Sequence, residues 1–170
     1  MSTVLPDSVV GLLKSKHFVH LATCLNDVPH VSLMNYTYYS QGDNHYVIIS
    51  TPINTTKYKN MSSNPRVSLL VHDWITCPQP ETGRRNSLYE LLANINKAET
   101  SSVSVMLGGE AAVVDRADKS YNLYKSLLLN SGFNDEVQAS NYVTSDDNAL
   151  VLITVKSCKV TDADNNVSSY

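Results

Sequence analysis

The sequence has few cysteines, no long apolar run and no excess of positive charge, and each shortage removes a class of protein. Its three cysteines, Cys24, Cys77 and Cys158, are odd in number, far apart and free of any C-x-x-C pair, which excludes a disulfide framework and a zinc site. They fit a reducing compartment, so the cytoplasm, with the nucleus as a second location, is the expected setting. No stretch approaches the roughly 20 apolar residues of a membrane span, and the start MSTVLPDSVVGLLKSKHF lacks the basic opening and apolar run of a secretion signal. A soluble intracellular protein is expected, for which the N-x-[ST] matches at Asn35, Asn54, Asn60 and Asn166 are chance. A net charge of -3 leaves no broad attraction for nucleic acid or anionic lipid. Any phosphate must be caught locally.

What is present is ordinary for a folded domain. With 170 residues, 42% of them apolar and 17% charged, the chain is long enough for one sizeable core. We expect a single domain over residues 1–160, with a loop and helix inserted at 75–100 and a mobile tail at 161–170. No internal repeat is visible.

Asp7 is placed to cap a helix whose Val9, Val10, Leu12 and Leu13 share a face. Phe18 to Tyr39 reads as two β-rich runs around the turn Asn26-Asp27-Val28-Pro29, and SQGDN at 40–44 leads into a strand ending near Thr51. A helix over Asn54 to Ser63, capped by Asn54 or Thr55, must stop at Asn64-Pro65, because the residue before proline disfavours the α region. VSLLVHDW from Val67 gives a buried strand. The polar stretch Thr76 to Asn86 reads as a loop, and Ser87 to Ala98 as a helix. Ser102 to Asp115 is a strand in which Gly108-Gly109 marks a bulge or close backbone approach. Asp115 caps a helix that stops near Gly132, and Ala149 to Val160 is the last strand. About six strands with helices outside them make an antiparallel barrel of α+β class.

One short stretch carries the chemistry. In STPINTTKYKN, Thr51, Thr55, Thr56 and Lys57 surround a helix start, where free N-H groups and the positive end of the dipole suit a phosphate. From the spacing alone, a capped helix with a solvated lysine is the simpler reading. Other constellations are weaker. His72 and Cys77 have no defined geometry as base and thiol, while His17 and His20 would point to opposite faces of a strand and make no metal site.

The order of elements changes that balance. A hairpin, a strand ending in S-T, six residues to a lysine, then NPRVSLLV and a tryptophan resembles the pyridoxamine 5'-phosphate oxidase-like family of flavin-binding split barrels. The likeness is good over Val9 to Trp74 and looser over Ser102 to Val160. It implies a split β-barrel with peripheral helices that binds flavin mononucleotide (FMN) as a homodimer.

By that resemblance the returning hairpin strand, His30 to Asn35, lays its backbone along the flavin ring, with Ser32, Met34 and Asn35 at the site. The family often has Arg and Lys where this chain has His30 and Asn35. Ser50 and Thr51 match the hydroxyl near the phosphate or ribityl chain, and Thr56-Lys57 the family's Arg-Lys or Ser-Lys pair. Gln79, with Ser102 or Ser104, corresponds to the contribution of a second subunit. The family's Arg- and Trp-bearing carboxyl segment has no counterpart in TDADNNVSSY, so the named oxidase activity does not follow. The expectation is a flavin-dependent oxidoreductase acting on a small molecule. The competing reading is a flavin or small-ligand binding module without turnover.

Overall fold

A computed structural model describes residues 3–73, 103–131 and 145–170 of the chain. Expectations for Trp74, Cys77, Gln79, Ser102, Gly132, the loop at 76–86 and the helix at 87–98 lie outside them.

Among the described residues the order is α1 (Asp7–Ser15), β1 (Phe18–Leu25), β2 (Val28–Asn35), β3 (Thr37–Gln41), β4 (Asn44–Pro52), α2 (Thr56–Ser63), β5 (Arg66–Asp73), β6 (Val103–Val113), α3 (Tyr121–Asn130), β7 (Asn148–Thr161) and β8 (Val167–Ser169). The strands pair antiparallel in the order β2-β1-β5-β6-β7-β4-β3, with β8 added to β7. β2 and β3 stand at opposite ends of this path, yet only Tyr36 separates them in the chain. The sheet therefore has to curl until its ends meet, which makes it a split barrel.

Tyr36 is the pin of that closure. It is buried, and its hydroxyl donates to the carbonyl of Leu13 at 2.7 Å, tying the seam to α1. The inward residues follow strand alternation: Val19 and Leu21, Val47 and Ile49, Leu69 and Val71, Leu107, and Ile153 fill the barrel, with Val9 and Leu13 of α1 closing one end. A second, smaller cluster lies outside, where Ile48 and Leu150 meet Leu128 of α3.

The turns carry local explanations. Asn26 and Asp27 both take positive φ, 50° and 63°, as a two-residue hairpin turn demands, and Asn and Asp tolerate this better than most residues. Pro29 lies within β2 and is tolerated because β2 is an end strand. The expected irregularity at Gly108-Gly109 is present as a register shift against β7, where Gly108 faces Ser157 and Gly109 faces Val155, leaving Lys156 as the extra residue. A Cβ on Gly109 would sit 2.8 Å from Ile153 Cγ2 and 2.9 Å from the Thr154 carbonyl. The glycine serves close approach of two strands.

Four expectations need correction. The run to Tyr39 is two strands, β2 and β3, because Tyr36 turns inward and changes the pairing partner from β1 to β4. Asp7 is the first residue of α1 and makes no capping bond, since Pro6 occupies the cap position. Asp115 accepts from the Ala117 N-H in a turn ahead of α3, whose cap position is Ser120. The tail beyond Val160, expected to be mobile for want of anything to bury, is indeed almost wholly exposed. It nevertheless turns on Asp162, which accepts from the Asp164 and Asn166 N-H groups, and returns as β8 along Lys159–Thr161.

Candidate functional site

The site is built where β4 hands over to α2. Thr55 caps the helix: its hydroxyl donates to the Pro52 carbonyl at 2.8 Å and accepts from the Tyr58 N-H at 3.4 Å. With that proton directed at Pro52, the 3.1 Å contact between Thr51 and Thr55 hydroxyls has Thr51 as donor. The N-H groups of Thr56 and Lys57, in the first turn, have no carbonyl to bond within the helix. At the far end Asn64 ends the helix, its N-H bonded to Asn60 and its side-chain amide to the Cys24 carbonyl.

Alternation along β4 decides which hydroxyl meets the cavity. Val47, Ile49 and Thr51 face the barrel interior, whereas Ile48 and Ser50 face α3. Ser50 therefore lines a cavity of about 310 Å³ together with Pro52, Lys57, Met34, Asn35 and Leu128. Phe18 and Leu33 complete its wall. Thr51 is fully buried and belongs to the cap behind the cavity. Thr56 is exposed at the start of α2 and is not part of the wall.

Among the described residues Lys57 is the only charged side chain in that wall, and burial draws its ammonium below the ordinary lysine range. A lysine desolvated in this way gains from an anion at its tip. On β2, the Oγ of Ser32 and the Nδ1 of His30 are buried without a hydrogen-bond partner, so this strand retains unused polar capacity. Its backbone does too: among the described strands β2 pairs only with β1 and leaves its other edge without a ladder. These features fit a phosphorylated planar ligand, with a cation and N-H groups at one end and an open strand edge alongside.

Met34, Asn35, Ser50 and Lys57 are thus gathered at one cavity. Ser32 lies further along β2, and Ser104, on β6 opposite His72, is remote from it. Gln79 lies outside the described residues. Sequence reasoning missed Phe18 and Leu128, which are apolar, while Leu33 lies within the His30 to Asn35 segment already expected at the site. Phe18 was detectable as an outward position of β1, whose alternate residues Val19 and Leu21 form the core. It also missed that His20 and His72 stack, with ring centroids 5.7 Å apart, because β1 and β5 pair across a long separation in the chain. Asn60 is buried and donates to the Thr23 hydroxyl at 3.0 Å, a structural use of that residue. Among the described residues, no helix is long and apolar enough to cross a membrane.

Comparison with known proteins agrees with this architecture. A family model described as pyridoxamine 5'-phosphate oxidase matches residues 5–161. A homologue of that oxidase from Schizosaccharomyces pombe is 38% identical over 172 residues, covering 97% of this chain and 90% of its own. A Saccharomyces cerevisiae homologue is 31% identical over 191 residues, covering 96% and 94%. Among solved structures, a heme binding protein from Mycobacterium smegmatis superposes with a TM-score of 0.64 at 16% identity, over 99% of this chain and 59% of its own length. A FAD-binding protein from Mesorhizobium loti superposes with a TM-score of 0.58 at 15% identity, over 90% and 89%. The chain belongs to the pyridoxamine 5'-phosphate oxidase family.

Proposed function

We propose that the protein binds FMN non-covalently in the cavity between β2, β4, α2 and α3, and acts as a flavin-dependent oxidoreductase on a small molecule. The observation that carries this reading is the half-buried Lys57 beside the uncapped N-H groups of Thr56 and Lys57, in the same wall as Ser50, Met34 and Asn35. Lys57 and the start of α2 would hold the phosphate, Ser50 would bond the phosphate or ribityl chain, and the free edge of β2 would offer backbone groups to the ring. Thr51 acts through Thr55, fixing the cap and so the direction of the helix start. When bound, FMN supplies hydride or single-electron transfer; the protein orients the ring and selects the partner.

The site is proposed to work in a homodimer. Val31 and Leu33 of β2, Leu70 of β5 and Met106 of β6 point outward on one side of the sheet, with Val31 66% and Leu33 59% exposed. A second copy on this face would remove that apolar surface from water.

The test is an absorbance spectrum of the purified protein after saturation with FMN and desalting. Retained flavin bands, about one per chain, are expected, and a colourless protein contradicts the reading. Bleaching by a reduced nicotinamide or by pyridoxamine phosphate, followed by reoxidation in air, separates an oxidoreductase from a binding module without turnover.

A further inference from the structure

The outer sheet face that a second copy would cover has a feature that an apolar contact does not need. The register sets His20 of β1 directly between Leu33 of β2 and Leu70 of β5, with Met106 of β6 next in the same row. Strand alternation puts His72 of β5 on the same side, and its ring stacks on that of His20, with centroids 5.7 Å apart and planes inclined by 24°. Both rings are half-buried, and with Phe18, Leu33 and Leu70 they line one hollow of the face. Two titratable side chains thus stand in the middle of the apolar patch.

A neutral imidazole is buried against leucine at modest cost, whereas an imidazolium is not. The stack sharpens the difference, because a proton on one ring opposes a proton on the other. The charges nearby are few. Lys16 of the α1–β1 connection is held by Asp73 at 2.8 Å, and His17 stands beside it at the lip of the hollow. On the flanking strands β2 presents Val31, Leu33 and Asn35, β6 presents Ser104 and Met106, and Lys159 of β7 follows Met106 in its row. Cys24 of β1, Arg66 of β5 and Glu110 of β6 share the face at its far end, where Lys156 lies 3.8 Å from Glu110. Among the described residues Asp73 is therefore the only carboxylate beside the rings. His72 is held below the ordinary imidazole range, by burial first and then by His20 and Lys16, with Asp73 acting the other way.

We infer that His20 and His72 make the homodimer pH-sensitive: two copies hold together while the rings are neutral and separate as the rings take up protons. This rests on the homodimer proposed above and not on the flavin. Covering the rings with a second copy desolvates them further, so the dimer binds protons less readily than separate copies do. Its contact is complete above the ordinary imidazole pKa of about 6.5 and is lost as pH falls through that value. A two-fold axis brings the same two histidines from the second copy, which doubles the effect. Phe18 and Leu33 also line the Lys57 cavity, so separation uncovers part of its wall.

The experiment measures the dimer dissociation constant of the full chain by sedimentation equilibrium from pH 8 to pH 5.5, with and without added FMN. Circular dichroism at each pH reports the fold. Each proton taken up on separation weakens a dimer by up to about tenfold per pH unit, and the wild type is expected to weaken at least tenfold over the range. The double variant His20→Gln/His72→Gln keeps two neutral polar side chains in place and is expected to change less than threefold, which also controls for every other titrating group. Should that variant fail to fold, each single change is expected to show a pH dependence clearly shallower than the wild type. A wild-type dissociation constant that does not move with pH, or folded variants that follow the wild-type curve, overturns the inference and leaves the homodimer in place. A chain that is monomeric at pH 8 overturns the homodimer and the switch together.

Discussion

The two faces of β1 and β5 are made by alternate residues of the same strands, yet they serve different ends. Val19 and Leu21, with Leu69 and Val71, are buried to 2% exposure or less, and pack against α1 and the opposite strands. One position along, Phe18, His20, Leu70 and His72 face outward, and Phe18 keeps 57% of its surface exposed. Both faces contain large apolar side chains, so hydrophobicity alone does not distinguish them. The inner face is hydrocarbon apart from Thr23, whose hydroxyl is bonded to Asn60, and the outer face mixes hydrocarbon with imidazole, which a stability requirement alone would not select. The fold is held by the inner set, and binding is left to the outer set.

The sharpest way to break that contrast is to truncate adjacent leucines. Leu69→Ala removes a fully buried side chain and is expected to cost about 2–5 kcal/mol in chemical denaturation. Leu70→Ala, on the other face, should stay within about 0.5 kcal/mol when measured on the monomer. Comparable losses would erase the distinction.

Glycines give a smaller effect of the same kind. Gly109→Ala would drive its Cβ against Ile153 and the Thr154 backbone, and should cost about 1–3 kcal/mol. Gly11→Ala, in α1 with nothing within 4 Å of the added carbon, should instead stabilise by about 0.5–1 kcal/mol.

Two hydroxyls follow. Tyr36→Phe leaves the buried carbonyl of Leu13 without its donor at the barrel seam, for a loss of about 1–2 kcal/mol in the urea midpoint analysis. Thr55→Ala removes the α2 cap for about 1 kcal/mol, and because it also releases Thr51 it should weaken FMN binding modestly. Equal FMN affinity would show that the cap does not orient the site.

How much of this could be read beforehand depended on the range of the interaction. The cap at Thr55, the stop at Asn64-Pro65, the turn at Asn26-Asp27 and the irregularity at Gly108 all arise from contacts within a few residues or from the backbone limits of one residue type. All were legible. The break at Tyr36 was not, because β-rich sequence runs straight through it and only the choice of partner strand reveals the change. The return of the tail as β8 depends on Asp162 accepting several N-H groups, which composition does not display. At the candidate site, Lys57 was singled out by the helix start and Ser50 by a family resemblance, and both line the cavity, whereas Thr51 sits on the interior side of β4. The rule that separates Ser50 from Thr51 is alternation, and it needs the strand's inner face to be known first. The His20–His72 pair required the β1–β5 register itself.

The central claim is that Lys57 grips a phosphate. It is tested most directly by dissociation constants of FMN and riboflavin for the wild type, Lys57→Ala and Lys59→Ala, the last an exposed lysine on the same helix. The account predicts that Lys57→Ala weakens FMN at least tenfold, about 1.4 kcal/mol, and leaves riboflavin and the Lys59 variant near wild type. Equal losses for FMN and riboflavin, or an FMN affinity that Lys57→Ala does not change, would contradict it.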